Sequence, residues 1–199
     1  MKLSSNVNAN AAAVQLPNST VQAAVDATAN LSAKDMLLTG WGYKDTGRSV
    51  STNTLQKADV SAISDASCAS SWGTTVSGVS DYQSKFFCAQ ESGIGACNGD
   101  SGGPLIWYDP SRSGDSDGGA TLIGLVSFGA AAQCASPSFP DVYTQVANYL
   151  SWISSCQAGS CAASTSVAST SGGGGGSFSP VALAALLLLA IRGLSTKRH

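Results

Sequence analysis

The sequence predicts an all-β domain followed by a tail of different composition. Short segments rich in Gly, Ser, Thr and Val, such as residues 121–128, favour strands joined by turns. The apolar run LIWY at residues 105–108 directly follows Pro104 and is predicted to be a strand. Six cysteines among 199 residues indicate an oxidising compartment, where disulfides stabilise a fold.

Charge and residue usage argue against several classes of partner. Only 11% of the residues are charged and the formal net charge is −2, so we expect no nucleic-acid partner. The cysteines lack C-x-x-C spacing, and the only histidine is the terminal His199, so we expect no metal site. No cofactor is expected either.

The run CNGDSGGP at residues 97–104 is the strongest chemical signal in the chain. Within it, Ser101 is the candidate nucleophile. Gly99 allows a backbone turn that aims its own N–H and that of Ser101 at one point, where charge develops on a scissile carbonyl. A glycine- and serine-rich turn between strands would explain the turn but not the whole order of residues.

This run resembles the nucleophile loop of the trypsin/chymotrypsin-like serine proteases. Four further segments match that family in order: LTGWG at 38–42, GLVSFG at 124–129, FPDVYT at 139–144 and a closing helix at 145–153. The resemblance implies the family's double β-barrel, with residues 1–156 forming mainly the C-terminal Greek-key barrel and its closing helix. The first barrel is then largely missing.

The resemblance also implies roles for the loop. Ser101 would be the nucleophile, and the N–H groups of Gly99 and Ser101 would form the oxyanion hole. Asp100 would pair with the α-amino group that activation cleavage creates, and without that group the hole is expected to be loosely formed. The family's serine needs a histidine base and an orienting aspartate. We expect both upstream of Met1, which makes the chain a fragment with little activity of its own.

The family's pattern implies two disulfides, Cys68–Cys88 and Cys97–Cys134. Cys156 and Cys161 fall past the family's usual bridges, and we pair them with each other by elimination. A bridge from either to a cysteine of the missing N-terminal region is an open alternative.

The resemblance also assigns a substrate pocket. Gly95 occupies the floor position where trypsins carry an aspartate, whereas Asp141 stands on the opposing strand where most of the family has glycine. Together with SFGAAA at 127–132, this combination resembles the brachyurin-type collagenolytic serine proteases, which cleave after basic and large apolar side chains. The implied substrate-binding residues are Gly95, Asn98, Ser127, Phe128, Gly129 and Asp141. A solvated turn aspartate is the alternative for Asp141.

The composition changes abruptly after residue 156. Residues 157–179 are predicted to be a Ser/Gly-rich linker with five glycines at 172–176. Residues 180–199 form a hydrophobic-basic segment whose apolar run, 181–191, is shorter than the roughly 20 residues of a membrane-spanning helix.

Glycine stretch, short apolar run and basic end resemble the GlyGly-CTERM sorting signal of Gram-negative bacteria. The resemblance implies transient insertion of the tail in the inner membrane, with its basic end in the cytoplasm. It also implies processing by a rhombosortase-like protease, type II secretion, and a secreted or cell-surface location. A glycosylphosphatidylinositol signal and a helix that packs on the domain are the alternatives.

Two functions from different classes are therefore predicted. The first is a secreted serine endopeptidase that acts on protein or peptide substrates through Ser101. The second is a non-catalytic relative that keeps the fold as a secreted or surface binding module. An intact nucleophile loop favours the first, and the lack of a base in the chain favours the second.

Overall fold

Six strands close into a barrel in the computed structural model, which describes residues 11–28 and 34–160. The strands are β1 (Met36–Gly40), β2 (Gln56–Ile63), β3 (Phe86–Gln90), β4 (Pro104–Tyr108), β5 (Ala120–Phe128) and β6 (Asp141–Gln145). Around the barrel the order is β1-β2-β3-β6-β5-β4, every pair is antiparallel, and β4 returns beside β1 in a Greek-key pattern. The predicted all-β class is confirmed.

Short helices connect and close the barrel. They are α1 (Ser19–Ala27), α2 (Asp65–Trp72), α3 (Thr74–Ser77), α4 (Tyr82–Lys85) and α5 (Leu150–Gln157), with 3₁₀ turns at Pro110–Arg112 and Val146–Tyr149. The Asn18 side chain accepts a hydrogen bond from the Val21 N–H at 2.8 Å, which caps α1.

Two predicted boundaries shift in the structure. The strand expected at residues 105–108 begins one residue earlier, at Pro104, because the first position of a strand tolerates a residue without an N–H. The closing helix expected at 145–153 is split: Gln145 still pairs with Gly124 as part of β6, a 3₁₀ turn follows, and α5 continues to Gln157.

The core lies inside the barrel, with a second cluster beside it. The barrel is filled by fully or almost fully buried side chains from all six strands, among them Met36, Val60, Phe87, Leu105, Ile123 and Tyr143. The second cluster joins α2 to β3 through the disulfide Cys68–Cys88. Trp72 packs against it and meets Phe128 edge-on at 5.1 Å between ring centres. This cluster supports the end of β5 that borders the candidate site.

The tail lies outside the described residues. The predictions for residues 161–199, including the sorting signal and the Cys161 end of the third disulfide, are therefore not addressed by the structure. Within residues 11–28 and 34–160, every helix is too short or too polar to cross a membrane.

Candidate active site

The nucleophile loop has a glycine turn around Ser101 and two hydrogen bonds to β5 directly after it. Gly99 and Gly102 have φ angles of +105° and +80°, in the region that favours glycine. The Gly102 N–H donates to the Val126 carbonyl at 2.8 Å, and the Val126 N–H donates to the Gly103 carbonyl at 2.9 Å. These bonds dock the loop on β5. Ser101 is left exposed at the tip of the turn.

The carboxylate of Asp100 is buried beneath this turn. Oδ1 accepts a hydrogen bond from the Gly42 N–H at 2.7 Å, and Oδ2 accepts one from the Cys97 N–H at 2.9 Å. A Cβ at Gly40 would collide with the carboxylate, and a Cβ at Gly42 would lie 2.6 Å from Oδ2. The glycines of the TGWG segment thus make room for Asp100, which ties the nucleophile loop to the end of β1.

One cavity, of about 400 Å³, lies beside Ser101, and we call it the substrate cavity. The structure brings six of the predicted site residues together on its lining: Asn98, Ser101, Ser127, Phe128, Gly129 and Asp141. A smaller cavity, of about 180 Å³, is lined by two others, Gly95 and Asp100.

Asp141 enters the substrate cavity from the first position of β6. Its Oδ2 accepts a hydrogen bond from the Ala96 N–H at 2.7 Å. A Cβ at Gly95 would collide with Oδ2, and a Cβ at Gly129 would lie 2.8 Å from Oδ1. The carboxyl group therefore occupies space that side chains at these two positions would need. Asp141 is a buried residue of the cavity, not a solvated turn aspartate.

Burial makes the negative charge of Asp141 costly. Desolvation raises the pKa of Asp141 to about 6, the Ala96 N–H opposes this rise, and the Asp100 carboxylate adds to it. The neighbouring Tyr143 is fully buried, and burial together with both carboxylates raises the pKa of its hydroxyl well above the usual value. Its Oη has no hydrogen-bond partner within the described part of the chain. The Ala96 N–H thus compensates the buried charge of Asp141 only in part.

The disulfide Cys97–Cys134 joins the nucleophile loop to the opposite side of the substrate cavity. Both pairings that the family resemblance implies are thus present in the structure. Beside this bridge, the Cys134 N–H donates to the Thr46 carbonyl at 3.1 Å, and the Tyr43 N–H donates to the Asn98 carbonyl at 3.1 Å. Residues 41–50 therefore contact both sides of the site.

Sequence reasoning missed three contributors to this site. The Ala96 N–H is the donor to Asp141, and no side-chain signal could reveal it. Trp72 donates its indole N–H to the Pro140 carbonyl at 3.0 Å and so supports the start of β6. Arg48 lines the substrate cavity. Its partners are the carbonyls of Ala130 and Ala131, 82 and 83 residues away, so no local pattern predicts it.

The described residues supply a serine, candidate oxyanion donors and a pocket, but they include no histidine. The one histidine of the sequence, His199, lies outside them. Ser101 therefore has no imidazole base within residues 11–28 and 34–160.

The chain is similar to several proteases of known kind. It is 34% identical over 125 residues to trypsin Blo t 3 of Blomia tropicalis, covering 61% of this chain and 41% of that protein. The clotting factor G beta subunit of Tachypleus tridentatus is 33% identical, with 62% and 39% covered. Trypsin-1 of Astacus astacus is 33% identical, with 68% and 52% covered. The chain thus spans about half or less of these relatives.

A family-wide comparison covers more of the chain. The sequence profile of the family described as trypsin matches residues 1–153. This match includes all six strands of the barrel, the nucleophile loop and the substrate cavity. The chain belongs to the trypsin family.

Proposed function

We propose that the protein is a serine endopeptidase that cleaves peptide bonds through an acyl-enzyme on Ser101. The observation that carries this proposal is the exposed serine at the tip of a fixed glycine turn, on the lining of the substrate cavity. Its Oγ would attack the scissile carbonyl and lose its proton to a base. The N–H groups of Gly99 and Ser101 would stabilise the oxyanion. The amine would leave with a proton, and water would then release the acid.

The base is proposed to come from outside the 199 residues. A serine hydroxyl is a weak nucleophile until a neighbouring base takes its proton. The chain spans only about half or less of its relatives, so a histidine and an aspartate that complete the triad have room in the remainder. We therefore expect little hydrolysis by the 199-residue chain alone.

Asp100 is proposed to pair with an α-amino group that activation cleavage creates. The smaller cavity supports this role because it opens beside the Asp100 carboxylate and is lined by Gly40, Gly42 and Gly95. In the structure the carboxylate accepts hydrogen bonds from two backbone N–H groups. An ammonium group would add an ionic partner and would fix the oxyanion loop further.

The substrate cavity is proposed to accept basic and large apolar side chains at P1, the residue before the cleaved bond. Asp141 would bind the cationic end of Arg or Lys, because its buried carboxylate has only one N–H donor in the part of the chain that the structure describes. Val126 and Phe128 line the same cavity and would contact apolar side chains. A bulge at Ser127 leaves its backbone out of the β5–β6 register, where a substrate strand could pair with it.

Labelling with a fluorophosphonate probe tests the activity. The transcript and the genomic region around Met1 are sequenced, and the reading frame obtained is expressed with a Ser101→Ala control. Labelling that depends on Ser101 and on an encoded histidine supports a peptidase. An in-frame stop directly before Met1, with no labelling, favours the second function, a non-catalytic binding module. The absence of histidine from the described residues is the observation that supports a non-catalytic binding module.

The P1 preference is tested on the labelled enzyme with matched peptide substrates. Asp141→Gly should lower kcat/KM for Arg and Lys substrates and spare Leu and Phe substrates. Equal activity of the two enzymes on basic substrates would exclude Asp141 as the recognition residue.

The tail is proposed to direct the protein to the cell surface or the medium of a Gram-negative bacterium. Residues 172–176 and the apolar run 181–191 support a GlyGly-CTERM signal that a rhombosortase-like protease removes before or during type II secretion. Mass spectrometry of the mature protein should find a C-terminus near the glycines. Recovery of the mature protein with His199 intact would contradict this processing.

A further inference from the structure

Residues 41–50 form a self-closed loop that turns Arg48 towards the substrate cavity. The Asp45 carboxylate accepts hydrogen bonds from the N–H groups of Ser49 and Val50 at 2.8 and 2.6 Å. The Lys44 N–H donates to the Val50 carbonyl at 2.9 Å. Arg48 has a φ of +60°, which is uncommon for a residue other than glycine. The hydrogen bonds of the closed loop hold Arg48 in this uncommon conformation.

The guanidinium of Arg48 binds one side of the substrate cavity, residues 129–134, which we call the cavity wall. Nη1 donates to the Ala131 carbonyl at 2.8 Å, and Nη2 donates to the Ala130 carbonyl at 2.9 Å. Nε lies 3.4 Å from the Cys134 Sγ. Arg48, Ala130, Ala131 and Cys134 all line the cavity. The planar fork of an arginine presents two separate nitrogens in a fixed geometry to two adjacent carbonyls, whereas a lysine offers a single nitrogen on a flexible stem.

Arg48 has no carboxylate partner in the part of the chain that the structure describes. The ion pairs there join Lys34 to Glu91, and Arg112 to Asp115 and Asp117. The three contacts of the Arg48 guanidinium within the described residues are all made to the cavity wall. Its charge therefore acts on the wall carbonyls.

The same loop is bonded to the nucleophile loop at its other end. The Gly42 N–H donates to Asp100 Oδ1, and the Tyr43 N–H donates to the Asn98 carbonyl. Residues 41–50 thus bridge the two sides of the cavity. On the wall side, the loop is held by the Arg48 guanidinium. Next to it, the Cys134 N–H donates to the Thr46 carbonyl.

We propose that Arg48 is a positioning residue for the substrate cavity. Its guanidinium holds the Ala130 and Ala131 carbonyls and thereby keeps the cavity wall at the distance from Ser101 and Asp141 that a P1 side chain requires. The inference rests on the proposed function in treating this cavity as the substrate-binding site.

The test separates geometry from charge. Arg48→Lys keeps the charge and loses the fork, whereas Arg48→Ala loses both. Lys44→Ala is the matched control, since it removes a cation from the same loop and Lys44 is not among the residues that line the substrate cavity. Two quantities are measured on the 199-residue chain: hydrogen exchange of the Cys134 amide, and the affinity of the cationic probe p-aminobenzamidine. Thermal unfolding reports any general loss of stability.

In both Arg48 variants we expect the Cys134 amide hydrogen to exchange faster than in wild type. The variants should also bind p-aminobenzamidine at least about threefold more weakly. Their thermal unfolding midpoints should stay close to that of wild type. Loss of a nearby positive charge would by itself tighten binding of a cation, so weaker binding by Arg48→Ala isolates the geometric effect. Wild-type behaviour of Arg48→Lys in both measurements overturns the inference. If the wild-type chain does not bind the probe, the proposed basic P1 preference fails, and the Cys134 exchange alone decides the role of Arg48.

Discussion

Asp100 and Asp141 are two buried carboxylates near the same serine, and they are held in different ways. Both oxygens of Asp100 accept a backbone N–H, from Gly42 and Cys97. Among the described residues Asp141 accepts one N–H, from Ala96, and it lines the substrate cavity. A buried charge is costly unless hydrogen bonds or an opposite charge compensate it. Asp100 is compensated by the fold, whereas Asp141 depends on what enters the cavity.

From this difference we expect Asp100 to contribute mainly to the stability of the fold and Asp141 mainly to ligand binding. Asp100 fixes the nucleophile loop to the end of β1, so its removal should affect stability most. Asp141 is positioned by glycines at 95 and 129 that leave it space but give it little support. Its removal should affect ligand binding and pH dependence most. Substitutions of the two carboxylates and of Tyr143 test this division.

Asp100→Ala should give the largest loss of stability. The substitution leaves the buried N–H groups of Gly42 and Cys97 without acceptors and removes two charge-assisted hydrogen bonds. We expect the free energy of unfolding to fall by about 3–5 kcal/mol, as measured by urea denaturation. Asp141→Ala is the matched control, with an expected loss of about 2 kcal/mol or less because one N–H is orphaned and an unfavourable buried charge is removed. An equal loss in the free energy of unfolding in the two variants would contradict the proposed difference between Asp100 and Asp141.

Asp141 should also make stability depend on pH. Its pKa is raised to about 6 in the folded chain from the ordinary aspartate value of 3.8, so the folded chain binds the proton more tightly than the unfolded chain does. This contribution is complete below about pH 4 and is lost as the pH rises through about 6. The stability of wild type relative to Asp141→Asn should fall by about 2–3 kcal/mol between those limits. A pH-independent difference in urea denaturation would show that Asp141 is not desolvated.

Tyr143→Phe should have the smallest effect. The hydroxyl lies near both carboxylates, is fully buried, and has no hydrogen-bond partner among the described residues. Removing it should change the free energy of unfolding by less than about 1 kcal/mol, or raise it slightly. A loss well above that value, measured in the same denaturation series, would reveal a hydroxyl partner that links Tyr143 to one of the carboxylates.

Two of the six strands were predictable from the residues because their signals are local. Residues 105–108 and 121–128 are apolar or β-branched runs, and they form β4 and β5. The order of residues in 97–104 carried the prediction that Ser101 is the nucleophile. The short helices α3 and α4, of four residues each, carry no periodic pattern and were not predicted.

The parts of the site that the sequence could not predict depend on distant backbone groups. Arg48 binds carbonyls more than 80 residues away, and Asp141 is held by the N–H of Ala96, 45 residues away. Whether the fold compensates the charge of Asp100 or of Asp141 depends on where the barrel places the backbone N–H donors. The family resemblance pointed to Asp141 as a pocket residue, but its hydrogen bond from Ala96 and the space that Gly95 and Gly129 leave for it follow from the structure.

The central claim is that the Asp141 carboxylate binds the cationic end of a ligand in the substrate cavity. Moving this carboxylate from position 141 to position 95 tests the claim. The affinity of p-aminobenzamidine is measured for wild type, Asp141→Gly and the double variant Gly95→Asp/Asp141→Gly. In the double variant, the carboxyl group introduced at position 95 takes the space that the Asp141 side chain leaves. We predict at least about tenfold weaker binding by Asp141→Gly and substantial recovery in the double variant. Equal affinity of Asp141→Gly and wild type would contradict this role for Asp141.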